Sequence, residues 1–233
     1  MNPLDKNAPL TYLSVGEMKE TELVIEKSRF LGFAFPVQTI EEVDRLLLSY
    51  RENYRDANHV CYAYRLGASG IEMKASDDGE PSGTAGVPML EVLKKENLTD
   101  TLVIVVRYFG GIKLGSGGLI RAYGKSAKEA VLASQIRTYQ KHYPLSATVD
   151  YTFSGGLSHL IKEKDWQLEG QIFTDKVTYL LEVPEDGINE VESTIINFTK
   201  NQVAFERGDL VYLSCQDICY TLRNILIQPD SDF

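Results

Sequence analysis

Apolar positions along the chain change period several times, and each change predicts an element. Ile40, Val43, Leu46, Leu47 and Tyr50 follow a 3-4 spacing and predict a helix over about 40–54. Similar spacing predicts helices over 85–97 and 118–136, with Pro88 in the first turn of the former, where its missing N–H costs nothing. Between them, ELVIEKSRFLGFAFPV (about 21–35), HVCYAYRLG (59–67) and TLVIVVRYF (101–109) predict strands. The unbroken apolar run Leu102–Val106 is that of a strand covered on both faces. In HVCYAYR, alternation puts His59, Cys61, Ala63 and Arg65 on one face and Val60, Tyr62 and Tyr64 on the other.

The periodicity breaks at QKHYPLS (140–146), around Pro144. Beyond it the pattern predicts strand (145–154), helix (155–166), strand (168–174), strand (176–183), helix (186–199) and strand (202–214). That βαββαβ order is the split-βαβ plait of ferredoxin-like domains. The expected division is therefore 1–142 for a first domain and 143–214 for a second. Residues 215–233 form an extension that fits neither unit.

Composition changes this picture little, but charge changes it more. The 233 residues are 43% apolar and 24% charged, an ordinary globular balance. No apolar run is long enough to span a bilayer, and MNPLDKNAPLTYLSVGE has neither the basic start nor the apolar core of a secretory signal. The expectation is a cytoplasmic protein with no membrane partner. Cys61, Cys215 and Cys219 make neither a disulfide framework nor, with the scattered His59, His142 and His159, a four-ligand zinc site. The net charge of −9 argues against indiscriminate nucleic-acid binding. It is unevenly spread, however: residues 1–139 hold 17 Lys+Arg against 18 Asp+Glu, and residues 140–233 hold 7 against 15. The first domain is almost neutral and leaves room for a local basic patch.

Four stretches carry candidate chemistry. VVRYFGGIKLGSGGLIRAYG places Gly110, Gly111, Gly115, Gly117 and Gly118 before a helix, with Lys113 and Ser116 among them and Arg107 and Arg121 at either side. Glycines let backbone N–H groups converge on an anion, and a helix start adds its own free N–H groups. Neither standard nucleotide motif is present: Gly110 and Gly115 have P-loop spacing, but Ser116 stands where lysine is needed. The bland alternative is a tight turn whose glycines serve packing.

SDDGEPSGTAG gathers Asp77, Asp78 and Glu80 in a turn, with Ser82 and Thr84 as candidate helix caps. Those carboxylates suit Mg2+ beside a phosphate, salt bridges to the basic loop, or plain solvation of the turn; salt bridging is favoured. His59 and Cys61, two apart on a strand, invite a nucleophile–base reading against that of a buried core thiol. In IEKSRF, Lys27 and Arg29 fall on one face of a strand, which suits an extension of a phosphate-tracking surface and a plain solvated edge equally well.

EKSRFLGFAFPV, HVCYAYR, DDGEPSGTAGVPML and VVRYFGGIKLGSGGLIRAYGKSA together resemble the YigZ/IMPACT family, over roughly residues 12–135. The resemblance implies an α+β protein. Its N-terminal domain would have the left-handed βαβ fold of elongation factor G domain IV, of a small-subunit ribosomal protein and of small-molecule kinases. Its second domain would be ferredoxin-like, similar to elongation factor G domain V. Function would be non-enzymatic binding of RNA or the ribosome in translation regulation or stress response. Arg107, Lys113 and Arg121 would meet phosphate, helped by the loop N–H groups, with Lys27, Arg29 and His59 extending the surface. A translation-associated protein partner is implied too, although eukaryotic relatives bind theirs with a module this chain lacks. Where the family often has Thr-His-His before the cysteine, this chain has Asn58, His59 and Val60. The kinase kinship keeps a rival open, a nucleotide-binding or phosphoryl-transfer enzyme using the same loop with Mg2+, the one candidate cofactor.

Overall fold

The computed structural model describes residues 9–214, in which the chain divides into two compact units, the first Tyr12–Thr138 and the second Tyr139 onward together with the residues up to Thr11. It is an α+β protein with two sheets and five α-helices. The expected extension 215–233 lies outside the described residues.

The first unit begins with β1 (Thr11–Val15), whose Leu13 bridges Leu98, and continues with β2 (Glu20–Ile25) and β3 (Ser28–Pro36). Residues 21–35 are thus a hairpin, not one strand. Glu26 and Lys27 form its two-residue turn with φ of 47° and 62°, the geometry of a type I′ turn, which usually announces itself as Asn-Gly. This chain carries neither residue there, so the sequence pattern ran straight through the turn. Then come α1 (Ile40–Asn53), β4 (His59–Leu66), β5 (Glu72–Ser76), α2 (Gly86–Lys95), β6 (Thr101–Tyr108) and α3 (Gly115–Ala133). Thr39 caps α1 by accepting from the Glu42 N–H, and the Glu42 carboxylate accepts from the Gln38 N–H. β5, EMKAS, is mostly exposed and polar, and its pattern gave no strand signal.

The sheet order is β2-β3-β6-β4-β5, antiparallel at every pairing. β6 is central and buried on both faces, as its apolar run predicted. On one side Leu102, Ile104 and Val106 join Val60, Tyr62 and Tyr64 under Val43 and Leu47 of α1. On the other, Val103 and Val105 join Cys61 and Ala63 under Met89 and Leu93 of α2 and Ala122, Tyr123 and Ala127 of α3. The alternation read from HVCYAYR is therefore the one the two cores use.

The second unit takes up β7 (Ile136–Val149), followed by α4 (Tyr151–Glu163), β8 (Gln167–Phe173), β9 (Val177–Pro184), a 3-10 turn, α5 (Ile188–Thr199), β10 (Val203–Arg207) and β11 (Val211–Ser214). The strands run in the order β10-β7-β9-β8, all antiparallel, and β11 also pairs with β7. Leu157 and Ile161 of α4 and Ile188, Val191 and Ile195 of α5 pack on Leu145, Ala147, Tyr179 and Leu181. The break expected at 140–146 does not occur, because β7 runs through Pro144. β11 pairs with residues 139–142 and β10 with 145–149, so the missing N–H falls where one neighbour ends and the next begins. The Pro144 carbonyl still accepts from the Gly208 N–H at 2.7 Å. No described helix is long and apolar enough to cross a membrane.

Candidate functional site

The acidic turn leaves the end of β5 and folds back over α2. Asp77 accepts three backbone N–H groups, from Gly83 at 2.8 Å, Ala85 at 2.9 Å and Gly86 at 2.8 Å. Burial works to raise its pKa, but the three N–H groups outweigh it and hold the carboxyl below the usual aspartate value. Asp77 thus caps α2 from a distance. Ser82 and Thr84, expected as caps, do not: Ser82 is exposed, and the Thr84 hydroxyl donates to the Pro81 carbonyl at 2.6 Å. Asp78 accepts from the Val60 N–H at 2.7 Å and meets Arg51 of α1 at 3.3 Å. Glu80 turns inward.

Glu80 is the centre of a buried polar cluster. Its Oε1 accepts from Arg107 Nη1 at 2.6 Å and from the Tyr123 hydroxyl at 2.7 Å, and His59 Nε2 stands 3.8 Å away. The favoured salt bridge to the basic stretch is therefore present for Glu80, while Asp78 pairs with α1. The three carboxylates diverge, and among the described residues no group of three or more His, Cys, Asp or Glu is placed to hold a metal ion.

Arg107 was expected at a phosphate and is instead buried, with its guanidinium 5.3 Å from the Phe30 ring centroid and 5.5 Å from that of Phe109. Strand alternation decides this: residue 107 shares the face of Val103 and Val105 under α3. Arg107 Nη2 also donates to Ser28 Oγ at 3.3 Å, and Ser28 Oγ accepts from the Gly110 N–H at 3.2 Å. The arginine anchors the glycine loop from beneath.

His59 Nδ1 lies 2.8 Å from the Asp78 carbonyl oxygen, and Nε2 faces Glu80, so both ring nitrogens are directed away from Cys61. The Cys61 thiol donates to the Asp77 carbonyl at 3.0 Å and is pushed up to about 12, chiefly by burial. Burial likewise holds the Tyr123 hydroxyl protonated far above its usual range. A thiol held this firmly protonated is a core residue, and the nucleophile–base pair is not assembled.

Above this cluster lies the loop. A Cβ on Gly110 would stand 2.0 Å from the Lys27 carbonyl carbon, so glycine is required for the β2–β3 turn to rest on the loop. Gly111 and Gly115 take φ of 86° and 68°. Helix α3 starts at Gly115, three residues earlier than the apolar spacing indicated, so Ser116, Gly117 and Gly118 are its first turn, and no side chain caps it. Lys27 sits at the hairpin tip against Gly110, not on a strand face with Arg29. Arg29 lies in β3, paired with Glu22 at 2.7 Å.

Between the hairpin turn, the loop and α3 is a cleft of about 410 Å3, lined by Ile25 and Glu26, by Ile112, Lys113 and Leu114, and by Gly118, Arg121, Ala122 and Lys125. Lys113, Arg121 and Lys125 are exposed. Among the described residues no ion pair involves Lys113 or Arg121, and Lys125 has only Glu129 at 3.8 Å. Lys125 is the site residue sequence reasoning missed; its i+4 spacing from Arg121 was the available signal. The structure thus keeps Lys113, Arg121 and, of the loop glycines, Gly118 together at one cleft, puts Lys27 beside it, and removes Arg107, Arg29 and the three carboxylates to structural pairings.

Fold and site together define a two-unit α+β protein whose first unit displays a cation-lined cleft where a glycine-rich loop enters a helix. Residues 26–131 match the Impact N-terminal domain, and residues 148–202 match a domain of unknown function, DUF1949. The chain is 40% identical over 203 residues to IMPACT family member YvyE of Bacillus subtilis (strain 168), covering 87% of this chain and 94% of that one. It is 32% identical over 183 residues to IMPACT family member YigZ of Escherichia coli (strain K12), covering 77% and 89%. A solved structure described as that of an hypothetical protein superposes with a TM-score of 0.58 at 27% identity, covering 84% of this chain and 97% of its own. The chain belongs to the YigZ/IMPACT family.

Proposed function

We propose that the protein binds RNA, alone or within the ribosome, through the cleft at the start of α3, in the translation-linked role that the family resemblance implies. The observation that carries this reading is the set of exposed cations, Lys113, Arg121 and Lys125, around one cleft on an otherwise almost neutral unit. Lys113 and Arg121, with no ion pair among the described residues, and Lys125, with only Glu129 at 3.8 Å, are held ready for an external anion, and phosphate is the anion that a glycine-rich loop admits most closely. We read the first unit as the left-handed βαβ type of elongation factor G domain IV. The second, with its β10-β7-β9-β8 order, we read as ferredoxin-like and as an acidic docking module.

Phosphoryl transfer with Mg2+ is less well supported. Asp77 is committed to three N–H groups, and Glu80 to Arg107 and Tyr123. The test is binding of ribosomes and of a structured RNA across a salt series. Wild type should bind with affinity that falls as salt rises, and Lys113→Ala/Arg121→Ala should bind more weakly, with a slope smaller by about one unit per cation removed. Equal, salt-insensitive binding by both proteins overturns the reading.

A further inference from the structure

The cleft is more than a patch of positive charge, and its shape narrows the kind of RNA it suits. Its cations come from the loop and the helix that follows it: Lys113 from the loop, Arg121 and Lys125 from successive turns of α3. The rest of its lining is largely aliphatic, with Ile25, Ile112, Leu114 and Ala122, and Ile112 remains 39% exposed. Its one carboxylate, Glu26, stands at the hairpin turn, on a different element from the cations. A duplex backbone is convex and fully charged, so it gains nothing from an apolar hollow and is repelled by a carboxylate. A nucleotide with its base turned out has the matching polarity: anionic at one end, flat and apolar in the middle, with N–H donors at the far edge. A volume of about 410 Å3 lies within the range that holds a small ligand.

We propose that the cleft takes one unpaired nucleotide of a single-stranded RNA segment, with its phosphate at Lys113, Arg121 and Lys125. The base covers Ile25 and Ile112, and the Glu26 carboxylate accepts a hydrogen bond from a base N–H. This deepens the RNA reading above and rests on it. An aliphatic lining is a weaker platform than an aromatic one, so the preference for an open strand falls at the low end of what base stacking confers, about fivefold.

The test measures fluorescence anisotropy with three probes at one salt concentration: a 12-nucleotide single-stranded RNA, the 12-base-pair blunt RNA duplex of that sequence, and free CMP as competitor. Wild type should bind the open strand about fivefold more tightly than the duplex, and CMP should compete only at concentrations far above those of the strand. Ile112→Ser, at an exposed position, should lower affinity for the open strand while leaving duplex affinity unchanged, and Glu26→Ala, which removes the acceptor and the repulsion together, should raise duplex affinity and so narrow the preference for the open strand. Equal or tighter duplex binding that Lys113→Ala/Arg121→Ala abolishes would overturn the unpaired-nucleotide proposal and leave the phosphate grip standing. CMP competing at concentrations close to those of the strand itself would also overturn it, in favour of a free nucleotide. Failure of wild type to bind either RNA removes the underlying reading itself.

Discussion

Replacing Glu80 by Gln should be among the most damaging single changes in the first unit. The substitution keeps the shape and leaves an acceptor for the Tyr123 hydroxyl, but strips Arg107 of its counter-charge. The side chains of Arg107 and Glu80 are 6% and 4% exposed, so water cannot replace the lost partner. Breaking a buried pair from one side costs about 3–5 kcal/mol, because the remaining charge is desolvated and uncompensated. Arg107→Met should cost a similar amount, since it leaves the carboxylate with only Tyr123 and a histidine 3.8 Å away. The double variant Glu80→Leu/Arg107→Met removes both charges and should recover most of the loss. Urea unfolding followed by far-UV circular dichroism measures all three, and Trp166, the single tryptophan, reports on the second unit by fluorescence. A cost below about 1 kcal/mol for Glu80→Gln, or a double variant no better than the worse single one, would refute a buried pair as the source of the anchoring.

Three further outcomes follow from the same geometry. Gly110→Ala should destabilise by about 1–3 kcal/mol or more, because its methyl group meets the Lys27 backbone, whereas Gly117→Ala on the open face of α3 should stabilise by about 0.5–1 kcal/mol; unfolding midpoints of the two should move in opposite directions. In a Cys215→Ser/Cys219→Ser background, Cys61 should resist a thiol reagent at pH 8 and react only on unfolding, since its thiol is pushed up to about 12; rapid native labelling contradicts this. Asp77 is held below the usual aspartate value of about 4, so its contribution is fully present above that value and is lost as pH falls through the depressed native one. Asp77→Asn should therefore be less stable than wild type at pH 7, and the gap should close below about pH 4, as read by unfolding midpoints across pH.

The loop cations show how differently the residues of one short stretch can end up. In sequence, Arg107, Lys113 and Arg121 are three cations around one glycine run. Only pairing of β3 and β4 to either side of β6 turns Arg107 inward, onto a carboxylate 27 residues away, while Lys113 and Arg121 stay in water. The hairpin at Glu26 and Lys27 was hidden because its left-handed residues are not glycine or asparagine. The strand through Pro144 was hidden because the gap between its neighbours lies outside the window in which a proline is judged. The oxygens of the acidic turn are drawn apart for the same non-local reason: they are taken by N–H groups at the start of α2, a backbone strand and a distant arginine.

The amino-acid pattern by itself determined what depends on near neighbours. That includes the helix over α1, the doubly covered strand β6, the two cores divided by alternation in β4, the βαββαβ order of the second unit, and glycines at the mouth of a helix. Periodicity and steric freedom are properties of a few adjacent residues and survive in any correct fold. Which cation is buried, which carboxylate caps a helix and which charges surround an open cleft were decided only by tertiary structure. Those outcomes depend on strand order and register, which bring together groups dozens of residues apart and fix how much water each one keeps.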